Sequence, residues 1–203
     1  MTSDDSFEKT YSVEIAALRY FRDFGNQVNG SPVNKNIIVF AAGNDGTPMS
    51  GYPAAHKEFI SVTAFGPDYL PTNYTNYGPG CKIAAPGGEY GNIKGDYSGM
   101  ILSTGVAGAA TQSPGVQTEK GESKQYVYMQ GTSMACPHVS GVAALGISYA
   151  KKLGKKFTRE QMTSLLLTSV NDLDQYTKGT KYYGNMGTGA LDAWKFLMAI
   201  EGT

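Results

Sequence analysis

"GTSMACPHVSGVAAL", residues 131–145, decides how the rest of this 203-residue chain is read. Ser133 opens a run rich in small apolar residues, from Ala135 through Val139, Val142, Ala143, Ala144 and Leu145 to Ile147. Over 133–153 the pattern predicts a helix that is apolar on nearly all sides, which belongs in a core rather than on a surface. A helix N-terminus gathers unpaired N–H groups and the positive end of the helix dipole. A serine placed there presents its hydroxyl while its own N–H points at a developing negative charge. Serine is also a common helix cap, and from this string alone capping is the plainer role for Ser133. With Ser133 as the cap, Pro137 falls in the first turn, where its missing N–H loses little more than one bond.

Upstream, "NIIVFAAGN" (36–44) is a short continuous apolar run ending in glycine, the pattern of a strand buried on both faces of a parallel sheet. It sets Asn44 just beyond the strand's carboxyl end, where ligands gather in open parallel sheets. An asparagine amide there is a side-chain donor for the same developing charge. Taken alone, Asn44 in Asn-Asp-Gly is good turn chemistry. "FISVTAF" (59–65), "KIAA" (82–85), "MILST" (100–104) and "YVYMQ" (126–130) are further strand candidates. Residues 105–125, between the last two, are polar and rich in Gly, Ser and Thr, and are expected to form an excursion loop or irregular hairpin.

Residues 6–24 carry helical periodicity, with Asp5 and Glu8 at capping-box spacing. "FTREQMTSLLLTSV" (157–170) predicts a helix capped by Thr158. A glycine-punctuated turn then leads to a closing helix, "ALDAWKFLMAI" (190–200). Strands alternating with helices predict an α/β protein with a mainly parallel sheet.

Composition bounds the rest. The length suits one domain with a sizeable core. Seventeen basic residues balance seventeen acidic ones, and no basic stripe is interleaved with aromatics, so no nucleic-acid partner is expected. The 26 glycines are spread along the chain, which implies many tight turns rather than a repeat. Two cysteines, Cys81 and Cys136, allow one bridge at most, and Cys136 within an apolar helix reads as a buried free thiol. The acidic, polar start "MTSDDSFEKT" has no signal-peptide core, and no apolar run approaches membrane-spanning length, so no membrane partner is expected.

Together the strings "AAGND" (41–45), "GYPAAHKEFISVTA" (51–64), "NYTNYGPGCKIAAPG" (73–87) and "GTSMACPHVSGVAAL", in this order, closely resemble the subtilisin-like serine proteases. "YYGNMGTGALDAWKFL" (182–197) is similar to that family's closing segment, so the resemblance runs from about residue 36 to the end. It implies a three-layer αβα fold. It implies a serine-type endopeptidase in which Ser133 forms an acyl-enzyme with a peptide or protein substrate. Asn44 and the Ser133 N–H would be the oxyanion donors. Ala42, Gly43, Gly51, Tyr52 and Pro53 would line part of the pocket for the side chain preceding the scissile bond. Asp45 stands beside that pocket, and a turn aspartate pointing to solvent is its plainer role.

The family's remaining catalytic groups are not found. His138 lies five residues beyond Ser133 on one helix and so points well away from it; a packed structural histidine is expected. His56 lacks the surroundings of the family's base and reads as a surface histidine. The Asp-Thr-Gly or Asp-Ser-Gly motif of the acid is absent from the sequence. In this family the order along the chain is aspartate, histidine, serine. Residues 1–203 are therefore expected to be the C-terminal part of a single catalytic domain, with a sheet incomplete on its N-terminal side and no activity in isolation. The upstream part of the same domain, or self-association, would cover the exposed edge.

The competing expectation is a non-catalytic module that keeps the scaffold for binding or assembly. Calcium often accompanies the family, but no acidic cluster forms a recognisable site, so no cofactor or metal is assigned. The family also implies a secreted, periplasmic or cell-surface setting.

Overall fold

The computed structural model describes residues 3–25, 30–91, 97–105 and 126–203. The amino-terminal helical run is broken in two, α1 (Asp4–Thr10) and α2 (Ser12–Phe24), by Tyr11 at φ −118°, ψ 49°. Ser3, not Asp5, caps it: its hydroxyl accepts from the Ser6 N–H. Strands β1 (Val39–Ala41), β2 (Ile60–Phe65) and β3 (Ile83–Pro86) follow, running parallel to one another. Then come β4 (Ile101–Thr104) and β5 (Tyr126–Met129), an antiparallel pair forming a separate sheet. Most of the expected excursion loop, residues 106–125, lies outside the described residues.

The carboxyl-terminal half holds α3 (Thr132–Lys152), α4 (Arg159–Thr168), β6 (Val170–Asn171), α5 (Asp174–Thr177), β7 (Ala190–Leu191) and α6 (Ala193–Gly202). Thr158 caps α4 in a full capping box with Gln161. The closing helix begins later than the apolar run suggests. Ala190 and Leu191 join the sheet as β7, beside β3, and Asp192 caps α6 by accepting from the Lys195 N–H. The main sheet has the order β1-β2-β3-β7-β6, parallel except for the β6–β7 pair.

Alternation along β2 sorts the layers. Ile60, Val62 and Ala64 join a core with Ala135, Val139 and Ala143 of α3, Met162 and Leu166 of α4, and Phe196 and Ile200 of α6. On the other face, Phe7 of α1 and Ile15 of α2 pack with Ile38 and Phe59. This makes an α/β protein with helices on both faces of a mainly parallel sheet. Burying each large apolar side chain in such a core contributes about 1.5–3 kcal/mol. At Gly146, α3 and α6 approach so closely that a Cβ would collide with the Phe196 ring.

Two expectations about burial fail. β1 is the sheet's edge strand, and its three residues are only half-buried rather than enclosed on both faces. Likewise α3 buries a single stripe, Thr132, Ala135, Val139, Ala143, Gly146 and Ala150. Its opposite side, with Pro137, Gly141, Ala144 and Leu145, is exposed. Small residues all round leave a helix free to be covered on two sides, but sequence cannot say which cover is present. A groove of about 400 Å³ runs between β1 and α3, bordered by Phe21, Ile37, Val39, Ala144 and Ile147.

Candidate active site at the start of the long helix

The start of α3 is fixed by its glycine. Gly131 takes φ +143°, a conformation rare for any residue with a side chain, and serves as the N-cap without a side-chain bond. Its N–H is shared between the Gly87 carbonyl and the Tyr74 hydroxyl, each at 3.0 Å. Burial pushes the Tyr74 hydroxyl up to about 12. It therefore stays protonated and donates to the Gly88 carbonyl while accepting from Gly131.

Ser133 is then the second helical residue, not the cap, and it is exposed. Pro137 consequently sits inside the helix, beyond its first turn. Among the described residues the Ser133 hydroxyl has no hydrogen-bond partner. The backbone donors of this turn sort unequally. The Thr132 N–H goes to Asn44 Oδ1 at 2.8 Å, and those of Met134 and Ala135 go to the Gly131 carbonyl at 2.9 and 3.2 Å. Only the Ser133 N–H is left without an acceptor among the described residues.

Asn44 arrives from the carboxyl end of β1. Its Oδ1 accepts a second bond, from the Thr132 hydroxyl at 2.9 Å. With Oδ1 doubly engaged, the amide Nδ2 is turned out with both protons unused among the described residues. That nitrogen and the Ser133 nitrogen lie 3.5 and 3.6 Å from the place a Gly131 Cβ would take, with Asn44 Oδ1 at 3.7 Å from it, so both donors stand on the same side of the Gly131 turn. Two unspent donors close to an exposed serine hydroxyl are the groups an oxyanion would need.

The loop that carries Asn44 is held from behind by Asn76, a residue with no distinguishing local signal in the sequence. Asn76 is 2% exposed. Its Nδ2 donates to the Ala42 carbonyl at 3.0 Å, and its Oδ1 accepts from the Asp45 and Thr47 N–H groups at 3.0 and 3.2 Å. Ala42 itself is fully buried and offers only backbone, its carbonyl also accepting from Gly51 at 2.8 Å. Gly43 is half-buried at φ +112°, where a Cβ would strike Asn76. Gly51, Tyr52 and Pro53 line a cleft of about 620 Å³ together with Asp45 and residues of α1 and α2.

Neither histidine is placed to serve Ser133. His138 points back along α3, its Nδ1 at 2.7 Å from the Met134 carbonyl. His56 is not a surface residue: it is fully buried, packed against Phe7 and Phe59. Its Nδ1 accepts from the Glu58 N–H at 3.3 Å, so the proton sits on Nε2, which donates to Glu8 at 3.1 Å. The apolar "YPAA" before it gave no warning, because Glu8, which satisfies this buried ring, comes from 48 residues away.

Glu8, His56 and Glu58 form the one grouping of metal-ligand type among the described residues. Its carboxylates are already engaged. Arg19 bridges Glu8 and Glu58, each at 2.7 Å, and Arg22 also pairs with Glu58. The cluster is an ion-pair network joining α1 and α2 to the loop before β2. Both cysteines are free thiols, and burial pushes Cys81 up to about 12 and Cys136 upward, which keeps them protonated and unreactive.

Known proteases resemble this chain over much of its length. The extracellular basic protease of Dichelobacter nodosus is 33% identical over 171 residues, 82% of this chain and 24% of that protein. An extracellular protease of Xanthomonas campestris is 37% identical over 126 residues, 62% of this chain and 18% of that one. The solved structure of a protease from Pseudoalteromonas arctica superposes with a TM-score of 0.64 at 31% identity, covering 82% of this chain and 43% of that one. The chain thus spans about a quarter of the first relative and under half of that solved structure. The subtilase (peptidase S8) family model matches residues 4–186, a stretch that takes in the Asn44 loop, the tyrosine–proline turn and the start of α3, and the chain belongs to the subtilase family.

Proposed function

We propose that this chain is the C-terminal part of a subtilisin-like serine endopeptidase domain, with Ser133 as the nucleophile. One observation carries the reading: Asn44 docks on the start of α3 through its Oδ1, which leaves its Nδ2 and the Ser133 N–H unspent on the same turn as an exposed serine hydroxyl. In that reading Ser133 Oγ attacks the scissile carbonyl. The carbonyl oxygen, as it becomes an oxyanion, is received by these two donors, and the acyl group stays on Ser133 until water releases it. Residues 43–53 form one wall for the substrate's side chain.

A serine hydroxyl near neutral pH needs a base to accept its proton, and His56 and His138 are both committed elsewhere. The base and its orienting acid are assigned to upstream residues of the same domain, packed against the β1 edge and the exposed side of α3. The shares of the relatives that this chain spans support that assignment. So does the apolar groove along β1, which calls for a cover. Relatives named as extracellular proteases support a secreted setting.

The test is covalent. A fluorophosphonate probe is expected to leave residues 1–203 unlabelled, because the serine is not activated. It is expected to label Ser133 once the upstream residues are supplied in one chain or as a complementing fragment, and Ser133→Ala to abolish the labelling. A complemented domain that neither takes the probe nor hydrolyses peptides would instead favour a non-catalytic binding module, the reading that the two committed histidines support.

A further inference from the structure

We infer that Tyr74 is a positioning residue for Ser133: its hydroxyl holds the Gly131 turn in the orientation from which Ser133 and its N–H meet the substrate carbonyl. The inference rests on the reading of Ser133 above and adds to that site a side chain from the loop after β2.

The Tyr74 ring packs against the core that α3 shares with the sheet. Its hydroxyl stands where three segments converge. It donates to the Gly88 carbonyl in the loop after β3 and accepts from the Gly131 N–H at the start of α3. Gly87 keeps the space open, since a Cβ there would come within 2.9 Å of the hydroxyl. Gln130 ties the last two segments together again, its Oε1 accepting from the Tyr90 N–H at 2.6 Å.

Gly131 is where this clasp bears on the chemistry. Its carbonyl accepts from the Met134 and Ala135 N–H groups, so the first turn of α3 hangs on it. Its φ of +143° is far from helical, and glycine has little preference of its own that would keep it there. With the Gly87 carbonyl as its one acceptor, the Gly131 N–H could swing about that bond. The Tyr74 hydroxyl is the second acceptor, and together they fix the peptide plane. Asn44 restrains only the next residue, Thr132. A turn held by Asn44 without Tyr74 pivots there and carries the Ser133 hydroxyl and N–H with it. Misplacing a reacting group by about 1 Å can cost about 10² in rate. The wall at residues 43–53 is held differently, by Asn76 and by the backbone carbonyl of Tyr74, which accepts from the Gly46 N–H at 2.9 Å. Loss of the hydroxyl therefore reaches the serine and spares that wall.

The test uses residues 1–203 joined to the upstream residues in one chain. Tyr74→Phe keeps the ring and removes only the hydroxyl. It is expected to lower both kcat and the rate of Ser133 labelling by a fluorophosphonate about fivefold, the weight of one net hydrogen bond, with KM within about twofold. Tyr74→4-aminophenylalanine keeps a donor for Gly88, which protects folding, but offers Gly131 only a poor acceptor. It should show the same split between kcat and KM. A merely structural tyrosine would lower the melting temperature and leave kcat and labelling of the folded enzyme unchanged. That result, a rise in KM at constant kcat, or full kcat with the amine would overturn the inference. An active wild type beside variants of equal kcat sinks this inference alone. A joined domain without Ser133-dependent hydrolysis sinks the protease reading with it.

Discussion

Asn44 Oδ1 accepts both the backbone N–H and the hydroxyl of Thr132, at 2.8 and 2.9 Å. This pair of bonds joins the carboxyl end of β1 to the first residue of α3 and decides which atoms of Asn44 remain for substrate. It also separates the residue's structural half, the oxygen, from its chemical half, the amide nitrogen.

That separation is testable with two variants in the complemented domain. Asn44→Asp keeps an oxygen for Thr132 and replaces the outward donor with an acceptor. It is expected to fold with an almost unchanged melting temperature and to lose kcat by at least about 10²–10³, the loss seen when such a donor is removed from a subtilisin. Asn44→Ala should lose comparable activity and also stability, because Thr132 gives up both acceptors. Thermal denaturation beside peptide-hydrolysis kinetics checks both. An Asn44→Asp enzyme of near-normal kcat would remove the oxyanion role.

Gly131→Ala places a methyl group on the side of the turn where both donors stand, in a conformation at φ +143° that alanine resists. The strain alone is expected to cost about 1–3 kcal/mol. The methyl would also stand 3.5 Å from Asn44 Nδ2, so activity should fall further than stability does. Denaturant unfolding and kcat measured on one preparation separate the effects.

Asn76→Ala is expected to destabilise the chain by about 2–3 kcal/mol, since it leaves the Ala42 carbonyl and the Asp45 and Thr47 N–H groups short of their partner. The Asn44 loop should loosen first. Faster amide exchange at Gly43–Thr47, ahead of any change in the β2 core, is the specific signature.

How much of this was legible in sequence follows from the range of the forces involved. The strand at 59–65, the Thr158 cap and the approach of Asn44 to the start of α3 rest on local pattern or on long specific strings, and all appear in the structure. What escaped depends on partners far along the chain. His56 reads as exposed until Glu8 and Phe7 fold over it. Ala190 and Leu191 read as helix because two residues cannot display a strand period, and only the β3 and β6 neighbours recruit them.

The network around Arg19 gives the stability a defined acid limit. A hydrogen bond from Arg19, with a second from His56, lowers Glu8 from 4.5 to about 2. Arg22 holds Asp23 below its usual range, and Arg19 does the same for Glu58. These folded-state values lie below the unfolded ones, so the unfolded chain binds more protons in acid. The stabilisation is present in full above the unfolded carboxylate range near 4.5 and is lost as pH falls toward about 2. Arg19→Met should lower the melting temperature at neutral pH and flatten its decline over that window. An equally steep decline in the variant would assign the acid limit to other groups.

The free edge of β1 carries the last prediction. Among the described residues Val39–Ala41 pairs only with β2, so its outer side offers unpaired backbone groups along a strand of purely apolar residues. Beside it lie the groove to α3 and an apolar skirt on α2, with Tyr20 69%, Phe21 52% and Phe24 54% exposed. Edges of this kind template pairing with another chain unless they are covered or charged. Residues 1–203 alone are therefore expected to self-associate in light scattering at high protein concentration, and the upstream fragment to suppress that association by taking the edge. Phe21→Glu places a charge in the groove wall and should reduce self-association without altering the α3 core, to which Phe21 does not belong. It should also weaken complementation, because both processes compete for one surface. A clean, stable monomer of residues 1–203 would show that the edge is protected by residues of this chain itself.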